Sequence, residues 1–181
     1  MTPSLHDKDC TIIELFKCLT MIEHLTTWHH IFPWLVQDAV PKGLATSLFH
    51  LKYFCLKVTC LYDRYGLAFL LALIRSSPNL EKLKIEISWH NESDDDYSVG
   101  WEKYSDVWLE HLTELQISDF GNAKPEMEFV KFILARSPKL KKVNIAIFRV
   151  VRWPEVSDIF QTLLQAPRAS PVTITFEYDP Y

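Results

Sequence analysis

Three groups of residues could do chemistry by type and spacing. His29 and His30 could bind a metal or move a proton, Asp94, Asp95 and Asp96 could hold a divalent cation, and Cys55 and Cys60 could pair or react. Adjacent residues on a strand point to opposite sides, so two neighbouring imidazoles do not reach one ion from regular structure. The acidic run lacks the D-x-D-x-D-G spacing of a calcium loop and reads as solvated charge. The four cysteines, Cys10, Cys18, Cys55 and Cys60, form no C-x-x-C pair and read as reduced thiols of a cytoplasmic or nuclear protein. A Cys55–Cys60 disulfide is the alternative, but alternation along one strand would turn the two thiols apart or strain the bridge. There is no G-x-S-x-G elbow, no H-E-x-x-H pair and no zinc-ligand spacing. Gly43, Gly66, Gly100 and Gly121 each stand alone, so phosphate-cradling glycine loops are excluded. The expectation is a protein that is not an enzyme, with no catalytic, metal-binding or cofactor-binding residues.

Composition points the same way. Of 181 residues, 48% are apolar and 13% aromatic, enough for one sizeable core and too many for a disordered chain. The net charge of −4 offers no overall basic excess to neutralise a nucleic acid. The first nine residues carry Asp7, Lys8 and Asp9 where a signal peptide needs an apolar run. The longest apolar stretch, Leu67 to Ile74, is far shorter than the ~20 residues that span a bilayer. No nucleic-acid or membrane partner is expected.

The informative feature is internal repetition. Leu51-x-x-Phe54-x-Leu56, Leu80-x-x-Leu83-x-Ile85, Leu112-x-x-Leu115-x-Ile117 and Leu140-x-x-Val143-x-Ile145 share the form L-x-x-L-x-L. Looser copies begin at Ile22 and Ala169, so the starts are 22, 51, 80, 112, 140 and 169 and the spacings 29, 29, 32, 28 and 29. A period in this range signals stacked units. The tract Phe69 to Leu83 also matches Phe129 to Val143 at a constant offset of 60, and Glu14 to Leu25 repeats the passage in degraded form. Each motif reads as a short strand. Helical patterns lie between them at Leu67–Arg75, Glu126–Arg136 and Glu155–Gln165. Pro125 and Pro154 suit first helical turns, and Pro78 and Pro138 suit positions just past helix ends.

Strand–helix units with right-handed crossovers build a parallel sheet backed by helices. The pattern resembles a leucine-rich repeat: an α/β solenoid with a parallel sheet on the concave side and helices on the convex side. The usual ninth-position Asn or Cys is replaced by His30, Thr59, Ser88, Phe120 and Phe148, so the turns must satisfy their backbone groups differently. The unit from Leu80 departs most, with an acidic loop at 90–100. Trp101, Tyr104 and Trp108 follow it at helix-like spacing, which suits a core role better than a contact loop.

In such strands positions one, four and six enter the core, and three, five and seven face outward. The outward row is then His24, Thr26, Trp28; Tyr53, Cys55, Lys57; Lys82, Lys84, Glu86; Glu114, Gln116, Ser118; Lys142, Asn144, Ala146; and Pro171, Thr173, Thr175. Its early strands set Trp28 and Tyr53 beside Lys57, Lys82 and Lys84. These five are the candidate partner-binding residues, suited to an acidic, partly apolar protein segment. An ordinary polar sheet face is the alternative.

Leu48 to Tyr53 and Arg75-Ser-Ser-Pro-Asn-Leu-Glu-Lys-Leu83 resemble the leucine-rich region of plant F-box/FBD/LRR-repeat proteins. His111 to Ile117, followed by Met127 to Val143, is similar to their FBD segment, and Pro167-Arg-Ala-Ser-Pro171 resembles their C-terminal end. The resemblance implies a polar tail over 1–10, degenerate leucine-rich repeats over 11–108 and FBD-like repeats over 109–181. It implies a non-catalytic module like the substrate-recognition part of an SCF ubiquitin ligase. Only ten residues precede the first repeat-like stretch, so the expected chain is a C-terminal portion with the F-box missing, whether as a truncated gene model or an F-box-less paralogue. A Skp-type adaptor is then a partner only if an F-box lies upstream. A stand-alone scaffold or decoy is the alternative, and the identity of the protein substrate stays open.

Overall fold

The computed structural model describes residues 18–28, 47–59, 61, 64–88, 101–148 and 151–178. The tail 1–10, His29, His30, Cys60 and the acidic loop with Asp94–Asp96 lie outside them. In chain order the elements are β1 (His24–Trp28), β2 (Tyr53–Thr59), α1 (Arg64–Ser76), β3 (Lys82–Ile87), a 3-10 turn (Trp101–Tyr104), β4 (Glu114–Phe120), α2 (Lys124–Arg136), β5 (Lys142–Ile147), α3 (Trp153–Gln165) and β6 (Thr173–Tyr178). The six strands form one sheet in sequence order, and every neighbouring pair is parallel.

Alternation decides which side of each strand is buried. Phe54, Leu56, Leu83, Ile85, Leu115, Ile117, Val143 and Ile145 are all within 2% of full burial. They join Leu67, Leu70, Phe129, Ile133, Ile159 and Leu163 in one core, so the three helices cover a single face of the sheet. The 60-residue offset holds in three dimensions: α1 and α2, and likewise β3 and β5, occupy corresponding positions. Pro125 and Pro154 stand in the first turns of α2 and α3, where a missing N–H costs nothing.

A repeated set of backbone bonds joins the rungs. One carbonyl before each strand accepts two N–H groups from the next rung. Glu23 receives Lys52 and Tyr53 (2.8 and 3.0 Å), Lys52 receives Glu81 and Lys82 (both 2.9 Å), and Glu81 receives Thr113 and Glu114 (2.8 and 3.2 Å). Thr113 likewise receives Lys141 and Lys142. At the other end of the strands the Phe148 N–H donates to the Phe120 carbonyl at 2.9 Å. Backbone groups thus pair across rungs without an asparagine ladder.

Three expectations need correction. The last rung does not begin at Ala169. Lys142 pairs with Thr173 and Asn144 with Thr175, so the outward row ends on Thr173, Thr175 and Glu177, and Pro171 precedes the strand. A two-residue slip keeps every side chain on its own face, so alternation alone cannot detect it. Cys55 sits in the outward row but is buried at 3%, as a free thiol. Its small side chain lies beneath the longer ones around it in register, Tyr53 and Lys57 on its own strand and Lys84 on the next. Trp108, which its spacing places in the core, is half-exposed. The stretch before it is tied to the helices by polar contacts: Arg75 of α1 donates to Asp106, Arg136 of α2 donates to the Ser105 carbonyl, and the Trp101 indole donates to Glu128 at 2.8 Å. Trp101 and Tyr104 pack on the core as expected, and half-exposed Trp108 lies under the Arg136 guanidinium at 5.2 Å.

Arg168 closes the C-terminal end. Its guanidinium donates to the Leu163 and Leu164 carbonyls, at 3.3 and 2.7 Å, and to the Val172 carbonyl at 3.4 Å. It therefore satisfies the last turn of α3 and clips it to the approach of β6. Arg168→Ala is expected to lower stability by about 1–2 kcal/mol, measured by urea unfolding.

Candidate functional site

No described helix packs on the outward face of the sheet, so its side chains are the ones placed to meet a partner. In-register parallel pairing stacks its outward positions into columns. The first runs His24, Tyr53, Lys82, Glu114, Lys142, Thr173. The second runs Thr26, Cys55, Lys84, Gln116, Asn144, Thr175. Trp28 and Lys57 open a third. Neighbouring strands lie ~4.8 Å apart, so the columns form one continuous surface.

The structure brings all five candidate residues onto this face. Trp28 is 45% exposed at the end of β1, and the Lys57 ammonium lies 5.4 Å from its ring centroid. Tyr53 tilts against His24 with ring centroids 5.6 Å apart. Partial burial, and then the neighbouring Cys55 thiol, hold the Tyr53 phenol above its usual range. Lys82 and Lys84 project from β3 two residues apart, on the same side of the strand.

Two grooves run across the strand starts. One, of about 330 Å³, is lined by His24, Lys52, Tyr53, Glu81 and Lys82. The other, of about 110 Å³, is lined by Tyr53, Lys82, Lys84, Glu114 and Gln116 among others. Tyr53 and Lys82 border both.

Glu114 and Gln116 are functional candidates that motif reasoning placed in the row but did not single out. The Gln116 amide donates to the Glu114 carboxylate at 2.8 Å, and the Lys82 ammonium lies 3.2 Å from it. Those two contacts, with Lys142 beyond them, hold the Glu114 carboxyl below its ordinary range. The signal was in the sequence: an acid at position three of one rung, between lysines at position three of the rungs on either side. Lys84 has no ion-pair partner among the described residues.

Among the described residues no group of three or more His, Cys, Asp or Glu side chains could hold a metal ion. No described helix is long and apolar enough to cross a membrane.

Comparison with known proteins adds a family context. The FBD family profile matches residues 108–145, which span β4, α2 and most of β5. That segment is therefore one strand–helix–strand unit within the continuous sheet. An F-box/FBD/LRR-repeat protein of Arabidopsis thaliana is 26% identical over 166 residues, covering 90% of this chain and 40% of the relative. An FBD-associated F-box protein of the same plant is 30% identical over 139 residues, covering 75% of this chain and 31% of the relative. A further F-box protein from that species is 31% identical over 143 residues, covering 78% and 30%. The chain thus spans about a third of the length of these relatives. No solved structure matches it.

Proposed function

The chain belongs to the plant family of F-box/FBD/LRR-repeat proteins, and on that premise we propose that it is a non-catalytic protein-binding module whose contact surface is the helix-free face of its sheet. The sheet is the concave side of a leucine-rich solenoid and the helices are its convex side. Within a full-length family member the module presents a protein substrate to an SCF ubiquitin ligase in the cytoplasm or nucleus. A Skp-type adaptor takes part only where an F-box accompanies it.

The observation that carries this reading is the juxtaposition of Trp28, Tyr53, Lys57, Lys82 and Lys84. Parallel register converts residues spread over nearly sixty positions into one aromatic and cationic surface. Aromatic side chains beside lysines offer apolar contact area and a favourable potential for an acidic segment.

Charge reversal at Lys57, Lys82 and Lys84 together is expected to abolish capture of the partner protein, identified by mass spectrometry with the unaltered chain as bait. Unchanged capture by the triple variant would end the proposal. A second reading, a scaffold or decoy that holds the same partner without a ligase, is separated by co-precipitation with the Skp-type adaptor.

A further inference from the structure

We propose that the two grooves form a tandem receptor for an extended acidic peptide, and that Glu114 is a built-in competitor for its carboxylate. The peptide carries an aromatic side chain for the larger groove and a carboxylate two residues away for the smaller one. This rests on the reading of the sheet face as the contact surface, and it specifies the partner chemistry and the residue that sets affinity.

The larger groove has the walls an aromatic ring needs. The His24 and Tyr53 rings line it with their centroids 5.6 Å apart, together with Lys52, Lys82 and Glu81, and the lysines bring alkyl stems as well as charge. The smaller groove is polar, with Lys82 and Lys84 along β3 facing Glu114 and Gln116 on β4. The first groove is centred near β2 and the second near β3, so they are about 4.8 Å apart along the sheet. An extended chain repeats same-side residues every ~6.7 Å, so a peptide crossing the strands obliquely drops residues i and i+2 into the two grooves.

Charge selects the peptide. The outward positions of β1, β2 and β3 hold three lysines against one acid, Glu86, although the chain as a whole is net negative. Lys84 has no ion-pair partner among the described residues, and neither has Lys57, whose ammonium lies over the Trp28 ring instead. Lys82 has its ammonium 3.2 Å from the Glu114 carboxylate, whose side chain is 21% exposed and already fixed by Gln116. A carboxylate arriving from a partner meets Lys84 directly and must share Lys82 with Glu114. The internal acid therefore weakens the site for acids, and it excludes a basic segment only partly.

The test uses the full chain with two blocked synthetic peptides, Ser-Phe-Ser-Asp-Ser and Ser-Phe-Ser-Lys-Ser, followed by NMR titration or calorimetry at two salt concentrations. The acidic peptide is expected to bind at least tenfold more tightly than the lysine peptide, and to weaken as salt rises. Lys84→Glu should reduce that affinity at least tenfold. Glu114→Gln should raise it about threefold, a gain that a misfolded protein cannot produce. Equal binding of the two peptides, or an affinity left unmoved by Lys84→Glu or lowered by Glu114→Gln, would overturn the proposal. Absence of peptide binding with partner capture still lost in the triple lysine variant would overturn the tandem site while leaving the contact face standing.

Discussion

Leu115→Ala is expected to destabilise the protein by about 2–5 kcal/mol, seen as a lower urea midpoint with an unchanged slope. Leu115 is fully buried near the start of β4, a strand inside the sheet, with Leu83 of β3 and Val143 of β5 opposite it in register. Both neighbouring rungs are fixed by their own hydrogen bonds and by the helices packed on them, so the walls of the new cavity have little room to move inward. Leu83→Ala and Leu56→Ala should fall in the same range, because those side chains are also buried to within 1%. Leu25 on β1 has the same place in its rung but is only half-buried at the sheet edge. Leu25→Ala should therefore cost about 1 kcal/mol or less. A loss below about 1 kcal/mol at all three central leucines would contradict their inward placement.

That contrast between centre and edge shows what a repeat sequence can and cannot reveal. The L-x-x-L-x-L motif carries both the period of the rungs and the face of each side chain, so parallel order, helix positions and the outward row of the first five rungs were legible from residue types alone, while the looser sixth copy was placed two residues early. The FBD-like tract was legible through its resemblance to that family, and the repeat through the Phe, Ser-Pro, Leu and Lys that Phe129 to Val143 shares with Phe69 to Leu83 at one offset. The bulges were hidden. Two residues of β2, Lys57 and Val58, stand opposite one of β3, and Ser118 and Asp119 of β4 stand opposite Ala146 of β5. An extra residue accommodated inside a strand leaves the spacing of motif starts unmarked. At Asp119 it places a non-glycine residue at φ 59°, which aspartate tolerates better than most.

The groups on the candidate site divide in the same way. Trp28, Tyr53, Lys57, Lys82 and Lys84 were visible because position within the motif fixes the face. The engagement of Lys82 by Glu114, and of Glu114 by Gln116, depends on side-chain conformation across two strands. Motif position says nothing about that. The same limit applies to Cys55, which motif position turns outward and crowding buries.

Glu126 is the residue whose role was least visible, and its titration should control stability over the neutral pH range. It lies fully buried in the first turn of α2. One carboxyl oxygen accepts from the Gly121 and Ala123 N–H groups at 2.8 and 3.3 Å, and the other has no partner among the described residues. This is half of a capping box: alanine at the N-cap cannot return the reciprocal bond, which is why the usual Ser/Thr signature is missing. Burial pushes the Glu126 carboxyl up to about 7, against the opposing pull of the backbone N–H groups of Gly121, Ala123 and Asn122. A carboxyl raised in the folded state favours the protonated form there. Its stabilising contribution is complete below the unfolded value near 4.5, and it is lost as pH rises through about 7. The loss comes to about 3 kcal/mol, most of it between pH 5 and 7.5. Glu126→Gln keeps an oxygen acceptor for the loop and removes the titration. The difference in unfolding free energy between wild type and this variant should therefore shift by about 3 kcal/mol in favour of the variant from pH 4 to pH 8. Any pH-independent penalty for placing the amide where the unpartnered oxygen now lies offsets the two curves without changing that slope. Parallel pH profiles for the two proteins would show that Glu126 titrates in the fold at its ordinary carboxyl value, and that burial does not raise it.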